Sequence, residues 1–330
     1  MGMFRIGRRG ALGGAMVAFA SGAATAQPGI EWKPDRPVRM IVPSGAGSGA
    51  DVVARGLAAR LAELLGQSVV VENQPQGVGA VGILAATRAR PDGQTIMCAI
   101  SSILLAPLVD PSLPYDVRNV LPVSQVHQAA TVLCVPQRLP IRSLAEFVAA
   151  SKADPDRYTI GDYGHGTASH IHAALLIRRA DLRSEVVHYP TSPPVIRDMI
   201  ADHIRCAIVD SASGMPFFRD GSLRPLAVSG RRRLAVLPEV PTFGELGLAG
   251  FEPAIWQGVF LPPGTPAPLA AAIEATVRAA IASPVVADLL RSIGFEPVGG
   301  SAAELAAMLE AERATWTAVI AETGIKPRGA

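Results

Sequence analysis

The chain holds three groups of residues able to do chemistry: a glycine-rich run, three histidines close together, and carboxylates at the ends of apolar runs. The run Pro43-Ser44-Gly45-Ala46-Gly47-Ser48-Gly49-Ala50-Asp51 follows the strand-like Val38, Met40, Ile41 and Val42. It precedes Val52, Val53, Leu57, Leu61, Leu64 and Leu65 at helical spacing. Glycines leave backbone N–H groups unshielded by Cβ atoms, and a helix N-terminus adds partial positive charge. Such a loop suits an anion or a polar ligand head; its plain alternative is a tight strand-to-helix connection. Gly45, Gly47 and Ala50 also match G-x-G-x-x-A, and Glu72 ends the next apolar run as the ribose-binding acid of a dinucleotide fold would. Pro43 and Ser44 stand where that fingerprint runs apolar into its turn, which argues against it.

His165, His170 and His172 do not share the i, i+4 spacing that sets two imidazoles on one helical face, so the sequence predicts no metal site. His170, near a helix start, reads as a structural histidine. Gly47-Ser48-Gly49 is a degraded nucleophile elbow, and no catalytic residue is assigned. Asp51 is expected to cap the first helix, and Asp198 to lie on a helical surface. Asp210 ends an apolar strand and is expected to face a cleft. Trp256 is either core or ligand wall.

The elements that position these groups alternate strand and helix from Val38 onward. Strands are expected near 69–71, 95–99, 120–126, 132–135, 158–160, 186–187, 207–209, 226–228 and 255–261. Helices are expected over 81–89, 143–152, 168–180, 195–201, 268–282, 285–293 and 302–322. This order predicts an α/β protein with parallel sheets covered on both faces, binding its ligand beyond the carboxyl ends of the strands. Four loops fit that position: 43–51, 73–82, 101–102 and 162–167.

Upstream of the fold, Arg5, Arg8 and Arg9 precede the apolar run 11–20, and Ala24-Thr25-Ala26 has the form of a cleavage site. Residues 1–26 therefore read as a signal peptide, with export to a bacterial periplasm by the general or the twin-arginine route. The chain has 30 Lys+Arg against 28 Asp+Glu, and without the three leader arginines the balance is 27 against 28. Near-neutral charge gives no support for a nucleic-acid surface; Arg231-Arg232-Arg233 reads as a solvated loop. Cys98, Cys134 and Cys206 lie far apart inside apolar runs and read as buried small hydrophobes, with one disulfide open as an alternative.

With these residues in place, the chain resembles the Bug family of periplasmic solute-binding proteins, the receptors of tripartite tricarboxylate transporters. The likeness rests on residues 43–55, on Val71-Glu72-Asn73-x-Pro75, and on Pro91-Asp92-Gly93-x-Thr95. It continues through Leu113-Pro114-Tyr115-Asp116, Gly164-x-Gly166-Thr167-x-x-His170 and Leu223-Arg224-Pro225-Leu226-Ala227-Val228. Leu237-Pro238-Glu239-Val240-Pro241-Thr242, Trp256-x-Gly258 and Pro263-Gly264-Thr265-Pro266 complete the series.

The resemblance implies a two-domain periplasmic binding protein fold (type II-like), each domain a mostly parallel sheet flanked by helices, joined by two crossing strands near 123–126 and 226–229. The expected division is 27–124 plus 231–330 for one domain and 125–230 for the other. It also implies a monomeric receptor that delivers a small organic acid to membrane transporter subunits, without a cofactor. A ligand carboxylate would be held by backbone N–H groups at Ser44, Gly45, Ala46, Gly47 and Ser48, with Gly79, Ser101, Ser102 and Thr167. Here Gly161-Asp162-Tyr163 replaces the small run usual before the glycine motif, and Pro190 follows Tyr189 where the family often has lysine. An unpaired Asp162 in the cleft would disfavour a second ligand carboxylate, whereas a solvent-facing Asp162 would not. Tyr163 offers a stacking surface. The rival readings are an exported dinucleotide-dependent oxidoreductase and a sensory receptor.

Overall fold

The computed structural model describes residues 31–325, so the leader and its cleavage site lie outside the described residues. A six-stranded and a five-stranded sheet, each flanked by helices, make an α/β fold of two lobes. The first sheet contains β1 (Val38–Val42), β2 (Val69–Asn73), β3 (Thr95–Ile100), β4 (Leu121–Ala129), β10 (Ile255–Leu261) and β11 (Glu296–Pro297), in the order β11-β4-β10-β3-β1-β2. The second contains β5 (Thr131–Pro136), β6 (Ile160–Asp162), β7 (Val186–His188), β8 (Cys206–Asp210) and β9 (Leu223–Val228), in the order β7-β6-β8-β5-β9.

Both sheets are mixed, less parallel than expected. β1 pairs β2 and β3 in parallel, and β6 pairs β7 and β8 in parallel. By contrast β10 runs against β3 and β4, and β5 against β8 and β9. The reason is the way the chain passes between the sheets. β4 leads through Ala130 directly into β5, and β9 returns through 229–254 into β10. A strand that leaves one sheet at its carboxyl edge enters the next from that sheet's carboxyl edge, so it must run against its new neighbours. Ala130 alone separates β4 from β5, so the first passage between the sheets runs through it. The same geometry turns the carboxyl ends of β1, β2, β3, β6 and β8 toward the crossing, which brings their loops to one gap.

Among the described residues ten α-helices cover the sheets: α1 (Gly49–Leu65), α2 (Ala80–Thr87), α3 (Ser102–Val109), α4 (Leu144–Ala153), α5 (Ala168–Ala180), α6 (Ser192–Ile200), α7 (Ser211–Arg219), α8 (Ala267–Ala282), α9 (Pro284–Ser292) and α10 (Ala302–Thr323). One core lies between the first sheet and α1, α8 and α9, around Val53, Leu57, Leu61, Val259 and Ile273. A second runs from Ile83 and Leu105 through Trp316 and Ile320 of α10 to Leu175 and Ile160 of the other lobe. Apolar burial stabilises this inter-lobe seam directly, and α10 sits at its centre. Cys98, Cys134 and Cys206 are buried free thiols, and their burial pushes each thiol up. Among the described residues no single helix is long and apolar enough to cross a membrane.

Candidate functional site

The loop between β1 and α1 is fixed from within. Ser48 caps α1, its Oγ accepting the Asp51 N–H at 3.3 Å. Asp51, expected to cap the helix itself, sits at its third position and reaches back: Oδ2 accepts the Gly47 N–H at 2.8 Å and the Arg55 Nε–H at 3.0 Å. Asn73 Nδ2 donates to Asp51 Oδ1 at 3.0 Å and to the Ser44 carbonyl at 3.1 Å, tying the loop to the end of β2. Burial opposes ionisation of Asp51, but Arg55, the Gly47 N–H and Asn73 outweigh it and hold the carboxyl below its ordinary range. Gln257, fully buried on β10, donates to the Ala50 carbonyl at 3.0 Å from beneath.

This bracing decides which N–H groups remain for a ligand. The Gly47, Gly79, Ser101 and Thr167 N–H groups bond to Asp51, Pro75, Trp256 and Gly164. Ser48 donates to the Gly45 carbonyl. Those of Ser44, Gly45, Ala46, Gly49 and Ala50 have no hydrogen bond within the described residues, and neither does Ser102 at the start of α3. The unpaired N–H groups thus lie in the outer half of the first loop and at the two helix N-termini beside it. Gly79 has φ +82°, and a Cβ there would meet the Pro43 carbonyl oxygen at 2.9 Å, so the second loop packs closely on the first.

In the other lobe, Asp162 ends β6 and is fully buried. Neither expectation for it holds: it is neither unpaired nor turned to solvent. Oδ1 accepts the Gly164 N–H at 2.8 Å, and Oδ2 lies 2.8 Å from His188 Nδ1. Burial pushes this carboxyl up, against the pull of Gly164 and His188. The parallel register of β6 and β7 sets Asp162 opposite His188, a partner that single-helix spacing could not reveal. His170 accepts the Gly166 N–H at Nδ1, 3.1 Å away, as a loop brace. The rings of His165, His170 and His188 pack with centroids 4.7 to 5.6 Å apart. His172 stands apart, its Nδ1 2.7 Å from Thr131 Oγ1.

Thr167 Oγ1 donates to the Gly164 carbonyl at 2.6 Å, and Tyr163 N–H to Ser169 Oγ at 3.0 Å, so these residues close their own turn. Burial and the nearby Asp210 and Asp162 carboxylates hold the Tyr163 phenol well above its ordinary range. Asp210 caps α7 through the Ser213 N–H at 2.8 Å and accepts the Ser192 hydroxyl at 2.6 Å. Asp198 accepts the Tyr189 hydroxyl at 2.8 Å. A Cβ on Gly166 would lie 3.4 Å from Ala106 of α3, so the second lobe's glycine loop abuts the helix that begins at Ser102.

Two further features lie at the crossing. Trp256 is core, 1% exposed, and its Nε1 donates to Glu312 of α10 at 2.8 Å. Burial pushes Glu312 up to about 7. A cavity of about 880 Å³ opens there, with Arg231, Arg233, Phe295 and Glu312 among its walls. Arg231 pairs with Glu252 and Arg233 with Glu245, so most of this basic run is already neutralised. Its wall includes residues 231–236, whose backbone N–H groups likewise have no hydrogen bond within the described residues.

The acid of the dinucleotide reading, Glu72, forms a two-pronged pair with Arg39, both contacts at 2.8 Å. Residues 53–325 match the family described as the tripartite tricarboxylate transporter family receptor. The chain belongs to this receptor family. It is 32% identical over 319 residues, 96% of this chain and 95% of the relative, to the UPF0065 protein of the tcbD-tcbE intergenic region of Pseudomonas sp. strain P51. The R. palustris protein Rpa4515, solved with adipate, is 31% identical with a TM-score of 0.82, covering 90% of this chain and all of that one (100%). MatC of Rhodopseudomonas palustris, solved with malate, is 27% identical with a TM-score of 0.78, covering 87% and 99%. The chain is thus a solute-binding receptor of the periplasmic type.

Proposed function

We propose that this receptor captures a small organic carboxylate by closure of its lobes and delivers it to a membrane transporter. The observation that carries the reading is the row of unpartnered N–H groups at Ser44, Gly45 and Ala46, braced from behind by Asp51 and Asn73. Preset donors need little reordering, so a carboxylate can be held without a formal cation. Gly49, Ala50 and Ser102 extend the row as helix N-termini, where negative charge is favoured. Asp162, Tyr163, Thr167 and Asp210 shape the facing loop instead of supplying charge. In this reading the lobes divide at Ala130 and within 229–254, the leader directs export to the periplasm, the receptor acts as a monomer, and it performs no catalysis.

Because Asp162 is partnered by His188, its carboxylate does not bar a second acid group, and the adipate and malate of the structural neighbours support a dicarboxylate. The test is calorimetric titration of the mature chain with malate, adipate and benzoate. Saturable one-to-one binding of a dicarboxylate supports the reading, and tighter benzoate binding shifts it to a monocarboxylate. No binding of any acid, or a dinucleotide found by native mass spectrometry, overturns it.

A further inference from the structure

We propose that Asp162, His170 and His188 form a binding site for one divalent transition-metal ion of the zinc class. Their ligand atoms lie within 4.8 Å of one another, drawn from the end of β6, the first turn of α5 and the end of β7. Two imidazoles and one carboxylate are the donor set that zinc, cobalt and nickel favour, whereas magnesium and calcium take all-oxygen shells. The adjacent ligand atoms of a tetrahedral zinc site stand about 3.3 Å apart, given bonds near 2.0 Å.

The surroundings favour a cation. Asp162 is fully buried, yet no Lys or Arg among the described residues pairs with it; its side-chain partner is an imidazole. A buried carboxylate with no Lys or Arg partner is a costly arrangement that a metal ion neutralises. The backbone also holds the donors: the Gly164 N–H fixes Asp162 Oδ1 and leaves Oδ2 for the ion, and register fixes His188 across from it. His170 accepts the Gly166 N–H at Nδ1, so its own proton sits on Nε2. Ligation through Nδ1 displaces the Gly166 N–H, and ligation through Nε2 moves the ring proton to Nδ1 and gives up the same bond; in either case the metal bond takes its place. His188 is 41% exposed, which gives the ion a way in and leaves a coordination position for water or for an acid ligand.

The inference does not depend on which acid the receptor carries. Untagged mature protein, stripped with EDTA and dialysed, is titrated with zinc chloride, and separately with cobalt chloride while visible absorption is recorded. One zinc per chain is expected, with the intense visible bands of four- or five-coordinate cobalt. His188→Ala and Asp162→Asn should each weaken zinc binding by about tenfold or more. His203→Ala, at a histidine 72% exposed outside the cluster, should leave it unchanged. Circular dichroism establishes that each variant is folded; if His188→Ala unfolds the chain, His188→Gln is the substitute. Absence of saturable one-to-one binding, or binding that survives both His188→Ala and Asp162→Asn, overturns the proposal.

Discussion

The Gly47 N–H donates to Asp51 Oδ2 across 2.8 Å, closing the first loop on itself. Gly47 is thereby a brace, and the N–H groups left without a partner in this loop include those of Ser44 to Ala46. Asp51→Ala removes acceptors for Gly47, Arg55 and Asn73 at once. We expect a stability loss on the order of 2 kcal/mol in urea titration and weaker carboxylate binding. Asp51→Asn keeps an acceptor and should lose less. Unchanged affinity in Asp51→Ala would show that the loop's shape is set elsewhere.

The glycines of this loop separate shape from contact. Gly45 has no positive φ and no atom within 4 Å of an added Cβ, so Gly45→Ala should fold as the parent does. If a carboxylate approaches its N–H, the new methyl group obstructs that approach, and affinity should fall by about tenfold or more. Gly79→Ala instead meets the Pro43 carbonyl at φ +82°, and should lower the melting temperature by several degrees. Gly45→Ala with full affinity would move the ligand away from this loop.

Much of this arrangement was legible in the sequence, and the gaps have physical causes. The alternation of apolar runs and helical periods located β1, α1, α5 and β10, because the strands are short, nearly fully buried apolar runs and the helices bury apolar residues at helical spacing. It did not reveal α3 or α7, which carry Pro107 and Pro216 inside and are helical because tertiary packing overrides propensity. Ile103, Leu104 and Leu105 of α3 are all buried. The glycine loops were visible as loops, but which N–H groups were spoken for depends on Asp51, Pro75 and Trp256, partners that only folding supplies. Likewise His188 joins Asp162 through strand register over 26 residues, beyond any helical spacing.

Glu312 should make the inter-lobe seam sensitive to alkali. Its carboxyl is pushed up to about 7 in the folded chain, from an ordinary value near 4.5, by burial opposed by Trp256 and Trp316. Its stabilisation is fully present below pH ~4.5 and is lost as pH rises through about 7, because the unfolded chain releases the proton first. Glu312→Gln keeps an acceptor for Trp256 and removes the titration. At pH 8 the variant should be more stable than the parent by about 2 kcal/mol, after allowing for partial solvent screening, with little difference at pH 4.5. Equal stabilities at pH 8 would contradict this.

The opposite limb of the stability profile belongs to His127 and His172. Both are buried, and desolvation lowers His127 to about 4 and His172 to about 3. An unfolded imidazole takes up a proton near pH 6.5, whereas these do so only well below that. Their contribution is intact above that pH and is lost as the solution is acidified toward 4, while Glu312 acts in the other direction over part of the same range. By pH 5 each histidine should cost roughly 2 kcal/mol relative to pH 7. His127→Gln can retain the contact with Gln257, which lies 3.3 Å from His127 Nε2, without the titration. Urea titrations of parent and variant at pH 7 and pH 5 should therefore show a smaller acid loss in His127→Gln by about that amount. An equal loss in both proteins would assign the acid sensitivity to other groups.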